Sequence, residues 1–355
     1  DVNGDNAKLV IDQGEFPRFS HEGNRLFFQT GGSYMGSITK ELKSVDLNGQ
    51  DQRTHLQSKY ANRLIPSPDN QWIAFTHLHK AYVAPLVMNG QTIDLDNKSD
   101  FVPISTLAKD AGISLHWSDD SQKVHWTLGD EYFSSDINNT FSFLSTTTEE
   151  KETIQPKGVK IGLQAPVDKP KGRIAFTNAR ILTMEGDQVI ENGTIVVNQN
   201  RIEAVGNAAE LNVPKDAKVY DMTGKTIMPG FVDAHAHVGA FRDGLPVQQN
   251  WQFYANLAFG VTTAHDPSAN TETVFTLSEM VKSGHLVGPR LYSTGFILYG
   301  ADADVKAVIN NLEDARSSIT RTKAFGAKSV KSYNQPRRDQ RQQVLQAARE
   351  MGINV

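Results

Sequence analysis

At 355 residues the chain is long enough for two or more buried cores, and a net charge of −4 gives no electrostatic reason to bind nucleic acid. It contains no cysteine, which excludes disulfides, thiolate metal sites and thiol nucleophiles. No apolar run approaches the ~20 residues that span a bilayer, and the run near 82–88 reads as a buried strand.

The first 150 residues carry an internal repeat. Phe19-Ser20-His21-Glu22-Gly23, Ile65-Pro66-Ser67-Pro68-Asp69-Asn70 and Trp117-Ser118-Asp119-Asp120-Ser121 each set a serine and a polar turn ahead of an alternating strand. The interval is roughly 50 residues, close to one four-stranded propeller blade. Serine, aspartate and asparagine supply the side-chain hydrogen bonds, and glycine or asparagine the positive φ, that such a turn needs. Three blades do not close a ring, so the expectation over 1–150 is a partial β-propeller; an unrelated β-meander with repeated turns is the alternative.

Polar stretches at 147–152 and 168–172 read as linkers, and the span 151–172 as an interdomain linker. The span 173–222 then holds short β-rich runs separated by turn residues, a small antiparallel sheet of sandwich type. From Gly230 the rhythm changes to strands alternating with amphipathic stretches. Strands are predicted over 231–237, 261–266, 290–295 and 327–333. Helices follow, with apolar faces through Trp251 and Leu257, Val274 and Leu277, Leu312 and Ile319, and then over 336–351. Four β/α units in 223–355 are the first half of a (β/α)8 TIM-type barrel.

The predicted strand over 231–237 ends in His235-Ala236-His237, behind the turn signal Pro229-Gly230. Residues i and i+2 of a strand share a face, so two imidazoles stand side by side at a strand's C-terminal end, where barrel enzymes place their chemistry. Asp233 shares that face and suits a structural carboxylate, or one that orients an imidazole. On the fourth strand, Lys331 and Tyr333 share one face and Val330 takes the other. A lysine pointing into a barrel is costly unless it is paired, neutral or modified. Carbamylation by CO2 turns it into an anion whose two oxygens bridge two metal ions. The second strand ends in His265-Asp266. One of these reaches the pocket, or His265 makes only local hydrogen bonds. The substrate-contact candidates are Tyr333 and His265, with Tyr299 beside them.

The pattern Asn178-Ala179-Arg180-Ile181-Leu182-Thr183, Gly193-Thr194-Ile195, Arg201-Ile202-x-Ala204-Val205-Gly206, Asp221-x-x-Gly224 and Pro229-Gly230-x-x-Asp233-x-His235-x-His237 resembles the amidohydrolase superfamily. Gly260-Val261-Thr262-Thr263 and Val330-Lys331 continue the resemblance, which is nearest to imidazolonepropionase- and prolidase-like members with a TolB-like or tricorn-like propeller ahead of the hydrolase. It implies a metal-dependent hydrolase of C–N bonds in a peptide-like or cyclic amide, with zinc, as one or two divalent ions, as the cofactor. In that family the two strand-one histidines bind metal and a carboxylated strand-four lysine bridges; carried over, these are His235, His237 and Lys331. Histidines on strands five and six and the general-base aspartate on strand eight have no counterpart before Val355. The sequence thus holds part of an active site, and alone it is expected to be inactive. Ala264-His265-Asp266 also departs from the Arg-Asp pair frequent on strand two.

The expected partner is a small-molecule or dipeptide-like substrate, with homo-oligomer formation compatible with the fold class. The start at Asp1 and the lack of cysteine fit a processed periplasmic or secreted protein, and otherwise a cytoplasmic one. The rival from another class is a binding or scaffold protein whose propeller docks a partner and whose half-barrel is vestigial. A lyase or isomerase on the same metal site is a third reading.

Overall fold

The computed structural model describes residues 7–32, 39–110, 113–141, 156–240, 246–301 and 306–355. The linker stretch expected at 147–152 lies outside them. The chain divides into two compact units, one made of Asp1–Leu163 with Thr294–Val355 and the other of Gln164–Ser293. This division cuts across the 223–355 stretch.

Three mainly antiparallel sheets follow one another in the first unit, the one parallel pairing among the described residues being that of Ile93–Asp94 with Arg53–Ser58. The first runs Glu15–Phe19, Arg25–Gly31, Lys40–Asp46 and Arg53–Ser58, with Ile93–Asp94 added at its edge. The second runs Leu64–Pro66, Trp72–His77, Lys80–Pro85 and Ser105–Ala108. Strands Ile113–Trp117, Lys123–Leu128, Glu131–Asp136 and Val159–Lys160 make the third, so part of the expected linker is itself a strand. Among the described residues each sheet is open and no ring closes.

The repeat read from sequence is the same turn three times. The backbone N–H of Ser20, Ser67 and Ser118 donates to the carbonyl five residues on, at 2.9, 2.8 and 2.9 Å. Each serine Oγ in turn accepts the N–H of that fifth residue, at 3.1, 2.9 and 2.9 Å. Gly23, Asn70 and Ser121 take the positive φ that closes it. The middle sheet is buried on both faces because successive side chains enter different cores. Ile73, Phe75, Tyr82 and Ala84 pack with Phe27, Leu42 and Leu56 of the first sheet. Ala74, Ala81 and Val83 pack with Leu115, Trp117, Val124 and Trp126 of the third.

The same unit includes a small α/β layer. Strands Ile297–Tyr299 and Lys306–Val308 are parallel neighbours. The strand expected over 327–333 is an extended segment joined to its neighbours by two isolated bridges, Leu298 to Ser332 and Ser329 to Asn354. Helices Leu312–Ala324 and Arg338–Glu350 pack on one side, where Leu298, Ala307, Ile319, Val330, Val344 and Ala347 form one core. The Asn311 side chain accepts the Asp314 N–H at the start of the first of these helices.

In the second unit, the sheet has the order Arg201–Asn207, Val189–Asn198, Arg173–Leu182, Ala217–Asp221, with Thr226–Ile227 also paired to the long Arg173–Leu182 strand; these last two strands pair with it in parallel, so the sheet expected to be antiparallel is mixed. Ala179, Ile181 and Ile195 are its buried centre. A parallel sheet of Phe231–Asp233, Val261–Asp266 and Arg290–Ser293 follows in sequential order, with helices Trp251–Ala258 and Thr271–Ser283 as its connections. Such parallel pairs joined through helices are β/α units. The first strand stops at Asp233 rather than running to His237, because Asp233 takes the chain into a turn.

Candidate metal centre

Gly230 lets the histidine-bearing segment approach its neighbour. A Cβ there would stand 2.2 Å from Thr262 Oγ1 and 2.3 Å from Cγ2, so only glycine passes this point unstrained. The Asp233 carboxylate then accepts the backbone N–H of His235 at 3.0 Å, a turn that fixes the main chain at the first histidine. Beyond it, Ala236 N–H donates to the His265 carbonyl at 2.9 Å, tying the segment to the Val261–Asp266 strand. Alternation persists past the end of the strand. Ala236, Val238 and Ala240 are buried while His235 and His237 face outward. The two imidazoles lie side by side, their ring centroids 5.1 Å apart and nearly perpendicular.

Beneath His237 is Asp266, with no exposed surface. Its Oδ1 lies 3.3 Å from His237 Nδ1 and accepts the Ser268 N–H at 3.0 Å, while Oδ2 accepts the Val238 N–H at 3.2 Å. Burial pushes this carboxyl above its usual range; the two backbone donors and His237 pull the other way. A carboxylate at Nδ1 holds the proton on that nitrogen and leaves Nε2 as the ligating one, the arrangement metal-binding histidines use. The segment is braced further by Asn250 Nδ2, which donates to the Val238 carbonyl at 3.0 Å.

The sequence left open which of His265 and Asp266 reaches the pocket and offered only His265 as a substrate contact; the structure sets Asp266 against His237. Neighbours in a strand point to opposite faces. Asp266 is buried at His237, and His265 is half-buried on the alternate face. A register shift between Phe231 and Val232, opposite Thr262, sets which of the two faces the histidines.

Lys331 and Tyr333 belong to the other unit. Val330 is 2% exposed in the helix-covered core, and Lys331 takes the opposite side of the extended segment. Its backbone is fixed by the Leu298 N–H, which donates to the Lys331 carbonyl at 2.9 Å. Its Nζ lies 5.3 Å from the Tyr333 ring centroid.

For a divalent metal the donors in the second unit fit as two ligands. Zinc–nitrogen bonds are about 2.0–2.1 Å, and neighbouring imidazoles backed by a buried carboxylate suit a borderline-soft cation. Among the described residues no group of three or more His, Asp or Glu side chains gathers closely enough to hold a metal by itself.

No family model matches the chain. Among curated proteins it is similar to the 5-methylthioadenosine/S-adenosylhomocysteine deaminase of Bacillus cereus (strain B4264), 30% identical over 168 residues, which are 44% of this chain and 36% of that protein. It is also similar to the 5'-deoxyadenosine deaminase of Methanococcoides burtonii, 33% identical over 125 residues, 34% of this chain and 28% of that protein. The chain thus spans about a third of the length of these two deaminases. Among solved structures, a Xaa-Pro dipeptidase with bound methionine aligns with TM-score 0.42 and 19% identity over 51% of this chain and 55% of that one. Ochratoxinase of A. niger aligns with TM-score 0.40 and 15% identity over 51% and 54%. Superpositions at this level do not bear on function.

Proposed function

We propose that the chain is part of a metal-dependent hydrolase of C–N bonds in which His235 and His237 hold a divalent cation, zinc in the first instance. The observation that carries this reading is the fully buried Asp266 set against His237 Nδ1 at 3.3 Å. A buried carboxylate costs stability unless its partners use it, and here it orients an outward-facing imidazole. Asp266 holds the Nδ1 proton of His237, and Asp233 fixes the main chain at His235. Asn250 and the Val238 N–H keep the second histidine from rotating away with its segment. A metal bound here would lower the pKa of a water and polarise the scissile group. Lys331, in its carboxylated form, is the further ligand we infer from the resemblance of Val330-Lys331. A small molecule with a peptide-like or cyclic amide is the inferred substrate, and the deaminase relatives make an amine-bearing carbon the alternative point of cleavage.

The three sheets with their repeated Ser-centred turns support reading residues 1–150 as blades of a TolB-like propeller, placed here as a companion to the hydrolase. Among the described residues no helix is long and apolar enough to cross a membrane.

The test is metal analysis of the purified protein after loading with zinc in bicarbonate buffer, beside His235→Ala and His237→Ala variants. The proposal expects bound zinc that either substitution removes. Equal metal content in all three proteins, or none in the parent, would overturn it.

A further inference from the structure

The three repeated turns bring the segments that precede them around one cavity. Two residues before the serine of each turn stand Arg18, Ile65 and His116, and four before it stand Phe16, Arg63 and Ser114. All of these but Ser114 line a cavity of about 270 Å³. The strands concerned, Glu15–Phe19, Leu64–Pro66 and Ile113–Trp117, each lie at the edge of their sheet. The first and third carry the same bulge. Register slips between Glu15 and Arg18 and again between Ile113 and His116, with Phe16 at φ 54° and Ser114 at φ 53°. A left-handed backbone is uncommon at a residue as bulky as phenylalanine, and bulges re-aim the side chains beside them, here Arg18 and His116. Two hydrogen bonds tie the edges together. Arg18 Nη1 donates to the Pro66 carbonyl at 2.8 Å, and Trp117 Nε1 to the Ile65 carbonyl at 2.9 Å.

The charge in this wall has one sign. Arg18 and Arg63 line the cavity, and among the described residues no aspartate or glutamate does. A guanidinium carries five N–H donors and no acceptor, while the Arg18 side chain makes one hydrogen bond among the described residues. Burial holds the Arg18 pKa below the ordinary arginine value; the charge of Asp119, which does not line the cavity, opposes this in part. Arg63 stacks on Phe16, its Cζ 3.5 Å from the ring centroid. Stacking engages the face of a guanidinium, and its N–H donors lie in its plane. Most of the remaining wall is apolar, with Phe27, Leu64 and Leu115 among it.

From this wall we propose that the cavity binds a small organic anion, in which Arg18 and Arg63 take a carboxylate and Phe16, Leu64 and Leu115 cover an aromatic or branched aliphatic body. A carboxylate supplies the acceptors and the charge that two guanidiniums lack, in the planar geometry they match. Small-molecule pockets typically start near roughly 300 Å³, so the cavity suits a single ring with its carboxylate and not a nucleotide. Because the edges are already tied by Arg18 and Trp117, little freedom is lost on binding. All of these residues belong to the first unit, and neither the metal ligands nor the hydrolase reading enters the assignment.

The test is calorimetry on the 355-residue chain at neutral pH, with phenylacetate, its neutral analogue phenylacetamide and inorganic phosphate as titrants. Phenylacetate is expected to bind about tenfold or more tightly than the amide, as a charge-assisted pair requires. Arg18→Met should weaken phenylacetate binding by a similar factor, and Arg63→Gln should weaken it too. Should Arg18→Met fail to fold for want of its bond to Pro66, the comparison of acid with amide on the parent chain and the Arg63→Gln variant decide the matter. Equal affinity for acid and amide, no binding of the acid, or folded variants that both bind like the parent would overturn the proposal. Tighter binding of phosphate than of phenylacetate would overturn the assignment to an organic carboxylate.

Discussion

His237 Nδ1 lies 3.3 Å from Oδ1 of Asp266, and that carboxylate has no exposed surface. The pair joins an outward-facing ring to a residue 29 positions along the chain. Replacing a carboxylate that orients a ligating histidine typically costs 10–100-fold in metal affinity. Asp266→Asn is therefore expected to weaken zinc binding by about that factor, since the amide no longer enforces the Nδ1–H tautomer. A competition titration against a chromophoric chelator measures it, and an unchanged affinity would detach Asp266 from the site.

Asp266 also sets a pH dependence in the metal-free chain. Its pKa is raised by burial, so the folded form disfavours the charged state. Its contribution to stability is greatest below the ordinary carboxylate value and declines as pH rises through the raised one. The carboxyl carbon of Asp266, followed by NMR, should titrate above the exposed aspartates. A midpoint at or below theirs contradicts the effect of burial.

Two histidines of the first two sheets act in the opposite sense. His55, hydrogen-bonded to Ser44 Oγ at 2.7 Å, and His77, packed against Tyr60, are both held below the ordinary histidine pKa, chiefly by burial. Stability linked to them is fully present above the unfolded value near 6.5 and is lost as pH falls through it toward the lowered folded values. Urea midpoints should fall between pH 7.5 and 5. The fall should be shallower in a His55→Gln, His77→Gln double variant, and an identical slope would rule these groups out as its source.

The repeated turn predicts a ranking. Ser67 is 1% exposed, so removing its Oγ leaves the Trp72 N–H without its side-chain acceptor inside the protein. Ser118 makes the same bond to Lys123 at a more open position. Ser67→Ala should cost about 1–3 kcal/mol, as for an unsatisfied buried donor, and Ser118→Ala less. Chemical denaturation of the two variants gives the order, and a reversed ranking contradicts the burial argument.

Gly230→Ala places a methyl group against Thr262. Overpacking of this kind typically costs about 1–3 kcal/mol. Here it should also push the histidine-bearing segment away from the strand that carries Asp266. Thr262→Ala in the same chain removes Oγ1 and Cγ2 but leaves Cβ, 2.8 Å from the added methyl, so it should restore part of the lost stability. Thermal melts of the three proteins check both steps, and no gain in the double variant would place the strain elsewhere.

Local chemistry made much of this protein legible from its sequence. The Ser-centred turns depend on side chains within five residues of one another, and all three form as the repeat predicts. The period of two placed His235 and His237 side by side, and it holds even though the strand itself ends at Asp233. Val330 and Lys331 took opposite sides for the same reason, although the segment pairs through isolated bridges and not as a continuous strand. What the sequence could not contain was register between segments. The shift opposite Thr262 decided that Asp266, not His265, lies beneath His237. The parallel bridge from Leu298 to Ser332 likewise brought the rings of Tyr299 and Tyr333 together, 5.3 Å between centroids. These outcomes depend on how strands separated by tens of residues align, and that alignment is set by packing across the whole sheet, which no local pattern encodes.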